Sequence, residues 1–171
     1  KKGVVSPQLL PDCAVLDADL TLGLPRHVTA ATGIDAMVHA IEAYTSKHKK
    51  NPMSDTLARE ALRLLAGNIR QACFEGGNRE ARAAMLLGAM LAGMAFTNAP
   101  VAAVHALAYP IGGHFHVPHG LSNSLVMPHV MRFNAPAAAG LYGELAPIVF
   151  PKAAGGTDAA HVGGWRELDR Q

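Results

Sequence analysis

Cysteine, charge and aromatic residues are all scarce in this chain, and the shortages narrow what it can be. The two cysteines, Cys13 and Cys73, could close at most one disulfide, and a chain long enough to bury a substantial core does not need such a staple. Reduced thiols in a cytoplasm are therefore expected. Charged residues make up 16% of the chain and the formal net charge is +2 with His neutral. The one basic cluster, Lys47, Lys49 and Lys50, reads as a solvated helix end and not as a stripe for nucleic acid. An unbroken apolar run of about 20 residues, as a membrane span requires, is also missing. The most apolar stretch, residues 83 to 113, is interrupted by Asn98, Pro100 and His105 and reads as two buried helices. The opening KKGVVSPQLLPD lacks the apolar run of an export signal. It also lacks an initiator Met, which points to a fragment. No GxGxxG or other glycine-rich phosphate loop occurs.

What the chain does have is a composition that is 50% hydrophobic, with Ala, Leu, Met and Gly recurring, as in a compact helical globule. The segment CAVLDADL, bounded by Pro11 and by Gly23 and Pro25, has the character of one short buried strand. The pattern then turns helical over about residues 28–46, 53–73, 79–97, 101–113, 120–132 and 138–149. This predicts a mostly α fold, an orthogonal multi-helix bundle after one strand. Asn51-Pro52 restarts the chain, Ser54 is placed to cap the second helix, and Gly76-Gly77-Asn78 separates the second helix from the third. Leu57, Ala61, Leu64 and Leu65 form an inward stripe, and Gly88, Ala89, Ala92 and Gly93 let another helix come close. The looser closing stretch, residues 151–171, begins a helix near Asp158 and then stops, as if within a domain.

Two clusters can carry chemistry. Asp35 and His39, in GIDAMVHAIEAY, lie four apart and share a helix face, a geometry that suits two ligands of one metal and equally a surface pair. HALAYPIGGHFHVPHG places His105, His114, His116 and His119 in an otherwise apolar region, an unusual density that suits a metal site, although a single histidine on an apolar face is more often a satisfied core residue than a ligand. One carboxylate with three neutral imidazoles would make a mixed O and N site for Fe(II), Zn(II) or Mn(II). Its net ligand charge of minus one would leave the ion a good Lewis acid with a position open for a substrate oxygen.

Together, ATGIDAMVHAIEAY and AVHALAYPIGGHFHVPHGLSN resemble the signature segments of iron-containing, or group III, alcohol dehydrogenases, a similarity that covers about residues 1 to 150. The resemblance implies that Asp35, His39, His105 and His119 are the metal ligands, binding Fe(2+) or Zn(2+). It implies that residues 26–171 are the helical metal-binding domain, truncated at its C-terminus. Residues 1–25 would be the last strand and linker of an N-terminal α/β nucleotide-binding domain that the chain otherwise lacks. In that loop Leu20, Thr21, Leu22, Gly23 and Leu24 would line the NAD(P) site, and Lys1 resembles a lysine contacting the cofactor ribose.

The implied activity is interconversion of an alcohol and an aldehyde or ketone by hydride transfer to or from NAD(P). The implied partners are a small alcohol or carbonyl substrate, the nucleotide-binding domain and further copies of the chain. Neither nucleic acid nor membrane is among them. Tyr109 stands where many family members carry a second His four residues after the third ligand. A phenol, with a reference pKa of about 10, shuttles protons less well near neutrality than imidazole but can donate a hydrogen bond to a substrate oxygen. Tyr at this position also occurs in hydroxyacid-oxoacid transhydrogenases, so that reaction, maleylacetate reduction and a non-catalytic metal-binding fragment remain alternatives. The 171 residues alone are expected to bind dinucleotide weakly and not to catalyse. Glu42, three residues after His39, is either a group supporting a ligand or an exposed acid. His114 and His116 read as loop or cleft residues, and His129 as a structural one.

Overall fold

The computed structural model of the chain describes residues 6–100 and 102–151. Five helices carry the fold: α1 (Arg26–Tyr44), α2 (Pro52–Phe74), α3 (Arg79–Asn98), α4 (Ala103–Phe115) and α5 (His119–Val149). Lys1 and the segment near Asp158 lie outside the described residues.

Helix ends follow local chemistry. The Asn51 side chain accepts a hydrogen bond from the Ser54 backbone N–H at 2.9 Å, and Pro52 fills the first helical position, where its missing N–H costs nothing. Asn51, not Ser54, is thus the cap of α2, and Ser54 is fully buried. Asn78 caps α3 in the same way, accepting from Ala81 N–H at 3.0 Å.

The core sits around α1, which packs against α2, α3 and α5. Val38, Ala40, Ile41 and Ala43 of α1 meet Ala58, Ala61, Leu62 and Leu65 of α2, Ala92 and Ala95 of α3, and Val130 and Leu145 of α5. The α2 residues recur at helical spacing and make one apolar face. Small residues set how near the helices come: a Cβ on Gly88 would lie 2.8 Å from Leu65 Cγ, so α3 rests directly on α2 there. Leu57 and Leu64, the outer members of the expected stripe, are only half-buried. The axes of α3 and α4 bend by 108°, and α4 then packs on α5. No single helix among the described residues is long and apolar enough to cross a membrane.

Two expectations change. CAVLDADL forms no strand; the described residues before α1 form only 3-10 turns, at Pro7–Leu9 and Ala18–Thr21. Asp17 caps the second of these through Asp19 N–H at 2.9 Å, and Val15 is 84% exposed. A strand persists only with a neighbour to receive its hydrogen bonds, and no other extended segment among the described residues pairs with this one. The two last helices of the sequence reading are one 31-residue helix, α5, which contains Pro128, Pro136 and Pro147. Each proline removes one backbone hydrogen bond, but burial of Met127, Val130, Met131, Tyr142 and Leu145 against the core holds the helix through them.

Candidate metal centre

Asp35 and His39 project from one face of α1, as their spacing requires. His105 enters from the first turn of α4, and His119 is the first residue of α5. The link between those two helices is short, and His116 ends α4 in the left-handed region, φ 56°. That reversal lets Pro118 start α5 so that His119 faces back toward His105. Gly120 allows the approach, because a Cβ there would lie 2.1 Å from the Ala31 carbonyl oxygen of α1.

The result is a convergence of lone pairs. Asp35 Oδ1 lies 3.4 Å from His105 Nε2 and 3.6 Å from His119 Nε2, and the three ligand atoms all fall within 4.8 Å of one another. Atoms held at about 2.1 Å around a tetrahedral ion lie about 3.4 Å apart. The O, N, N donor set therefore fits a divalent transition metal in both chemistry and spacing. His39 lies beside this trio: its ring stacks on His105 at 4.3 Å between centroids and 13° between planes, and on Phe96 at 4.5 Å. The structure thus brings three of the four expected ligands to one point and sets the fourth flat against one of them.

Asn123, one helical turn after His119, completes the cluster and was not singled out from the sequence. Its amide nitrogen bonds Asp35 Oδ1 and lies 3.2 Å from both Nε2 atoms. One NH2 group carries two protons, fewer than the three polar atoms it faces. Its own Oδ1 is buried without a hydrogen-bond partner among the described residues. Both features mark a place arranged around a cation. The signal was available: Asn123 follows His119 by the same four-residue spacing that joins Asp35 to His39. Glu42, for which the sequence left two readings, is 4% exposed and touches His105.

Electrostatics separate the two stacked imidazoles. Burial, reinforced by the positive charge of His105, pushes His39 down to about 4. Burial acts against protonation of His105 as well, but the carboxylates of Asp35 and Glu42 overcome it and raise His105 to about 9. Burial would raise the Asp35 carboxyl, yet its contacts with His105, His39 and Asn123 hold it below the usual carboxylate range.

The cluster is closed on one side and open on the other. His105 has 1% of its side chain exposed, Asp35 21% and His119 43%. Tyr109 stacks on His119 at 5.6 Å and 9° and is itself exposed, so the pair forms the open rim. The loop from Leu20 to Leu24 is mostly exposed and lies at the start of α1, about 14 Å of helix from Asp35. Arg82 reaches the Leu24 carbonyl at 3.3 Å, and Asp19 pairs with Arg79 at 2.5 Å, which ties the loop to the start of α3.

Comparison with known proteins gives the family to which this fold belongs. The family model described as the Fe-containing alcohol dehydrogenase family, C-terminal, matches residues 29–164. Long-chain-alcohol dehydrogenase 1 of Geobacillus thermodenitrificans is 50% identical over 133 residues, 78% of this chain and 33% of the relative. The chain thus spans about a third of the length of that curated relative. A crystal structure of 1,3-propanediol oxidoreductase superposes with a TM-score of 0.83 at 39% identity, covering 90% of this chain and 41% of the other. Sulfoacetaldehyde reductase from Bifidobacterium kashiwanohense, solved in complex with NAD+, gives 0.82 at 31% identity, covering 96% and 43%. With the family model matching most of the chain and relatives of 31–50% identity covering 78–96% of it, the chain belongs to the Fe-containing alcohol dehydrogenase family, in its C-terminal helical part.

Proposed function

We propose that this chain supplies the metal and substrate half of an NAD(P)-linked oxidoreductase that interconverts an alcohol and an aldehyde or ketone. The observation that carries the reading is the convergence of Asp35 Oδ1, His105 Nε2 and His119 Nε2 within 4.8 Å, with the open edge at His119 and Tyr109. Asp35, His39, His105 and His119 would hold one divalent ion, Fe(2+) in keeping with the family. When bound there, the ion would supply Lewis acidity toward a substrate oxygen. Hydride chemistry belongs to the nicotinamide cofactor; a related reductase is solved with NAD+.

The chain's own residues bind, orient and shield. His105, packed under His39 and Phe96, closes the inner side against water. Tyr109, exposed beside His119, would donate a hydrogen bond to the substrate oxygen and keep the reacting carbon in register with the cofactor. The apolar loop at Leu20, Thr21, Leu22, Gly23 and Leu24 would lie along the dinucleotide, as the end of a nucleotide-binding domain formed with residues 1–25; residues 26–171 form the metal domain. The whole protein would work in the cytoplasm as a homo-oligomer, in keeping with thiols that are free at Cys13 and Cys73.

The test uses the full-length protein. NADH oxidation with short aldehydes is expected to vanish on complete metal stripping, return with Fe(2+), and stay lost in His105→Ala. Undiminished turnover in either metal-stripped protein or His105→Ala would overturn the reading.

A further inference from the structure

Glu42 contributes nothing to the ligand trio, yet it is a carboxylate buried to 4% exposure in a helical core, a costly placement unless both oxygens are satisfied. Both are. Oε1 accepts the Val104 backbone N–H at 2.7 Å, and Oε2 meets His105 Nδ1 at 2.6 Å. The first contact is a cap supplied by another helix. Ala102, which precedes α4, has no side chain able to cap it, and the first N–H groups of any helix lack partners within it. A negative charge at this end is also favoured by the helix dipole. Glu42 therefore holds the first turn of α4 at Val104, one residue before His105.

The second contact fixes how His105 presents itself. A carboxylate only accepts hydrogen bonds, so Nδ1 must carry the proton, and Nε2 is the nitrogen left to face Asp35 Oδ1 and His119. The geometry points to Glu42 as the positioning residue of the metal centre: it caps α4 and holds the Nδ1 proton of His105, so that Nε2 is the atom offered to the ion. This rests on the metal-site reading above. His119 and Asp35 have no second carboxylate among their described contacts, which makes His105 the ligand whose ring orientation is set most firmly.

Glu42→Gln separates this role from a merely structural one. A glutamine keeps the shape and one acceptor for Val104 N–H, but then turns its NH2 toward Nδ1, where two donors oppose each other. Under anaerobic conditions, chelator competition should show Fe(2+) affinity 10- to 100-fold weaker than in the parent protein, with the melting temperature of the metal-free proteins little changed. Proton–nitrogen NMR of the parent protein loaded with Zn(2+), used as a diamagnetic probe, should place the His105 proton on Nδ1 and the ion on Nε2. This second measurement decides the matter even if the variant does not fold. Equal Fe(2+) affinity in parent and variant, or a His105 proton on Nε2 in the parent, overturns the role of Glu42 and leaves the metal site standing. Failure of the parent protein to take up either ion removes both.

Discussion

Gly120 of α5 lies so close to Ala31 of α1 that a Cβ on the glycine would come within 2.1 Å of the Ala31 carbonyl oxygen and 2.5 Å of its carbonyl carbon. Backbone, unlike the end of a flexible side chain, has nowhere to go. Gly120→Ala must push the start of α5 away from α1 and carry His119 away from Asp35. The expected cost is about 3 kcal/mol or more in stability, together with loss of metal uptake, read by thermal melts and metal analysis. A variant that melts normally and binds Fe(2+) fully would show that the helices are not in this contact.

Arg82 is 3% exposed and spends its guanidinium on three separate segments. It donates to Thr29 Oγ1 at 2.6 Å, the Gly76 carbonyl at 3.0 Å and the Leu24 carbonyl at 3.3 Å. Arg82→Met removes the charge but strands two carbonyls and a hydroxyl. Loss of roughly 2–4 kcal/mol is expected, with faster hydrogen exchange at residues 20–24. Lys in its place should recover little, since an ammonium lacks the planar fork that reaches three directions.

Metal uptake should release protons. Without the ion, His105 is raised to about 9 and so holds a proton at pH 7, whereas His39, pushed down to about 4, holds none. An ion taking Nε2 of His105 displaces that one proton, so affinity should climb as pH rises toward 9 and then level off. Calorimetry at pH 7 in buffers of differing ionisation enthalpy should give close to one proton per ion. Zero protons, with affinity flat above pH 6.5, would contradict the assignment.

Tyr109→Phe keeps the ring that stacks on His119 but removes its hydroxyl. In the full-length enzyme kcat/KM is expected to fall about 10-fold, about 1.4 kcal/mol, with metal content unchanged. A metal-depleted variant would instead mean that the hydroxyl supports the ligands.

Much of this was legible because helices keep chemistry local. Asp35 and His39 announce a shared face by spacing alone, and the histidine-rich run around His105 and His119 marks the other half. What spacing could not show is depth and direction. Glu42 looks like any helix acid until α4 is seen to begin against it, and Asn123 looks like a helix polar residue until Asp35, His105 and His119 meet at its amide. His39 belongs to the right face yet stacks on His105, because the orientation of an imidazole depends on neighbours such as Phe96 that are distant in sequence. CAVLDADL carries strand-like residues, but propensity cannot supply a pairing edge. The sequence pattern predicts two helices, over 120–132 and 138–149; Pro136 lies between them, yet long-range burial of Tyr142 and Leu145 carries one helix through it.

Helix α5 spans 31 residues, about 46 Å, with His119 at its first position and, near its far end, Glu144 receiving the Tyr44 hydroxyl from the end of α1. It is therefore tied at both ends to the same helix that carries Asp35. The two anchor points lie 25 residues apart on α5 but only nine apart on α1, so α5, with prolines at 128, 136 and 147, spans α1 as a bow and not as a straight rod. The contact of Tyr44 with Glu144 is thus part of what closes the bundle around the helix that presents Asp35.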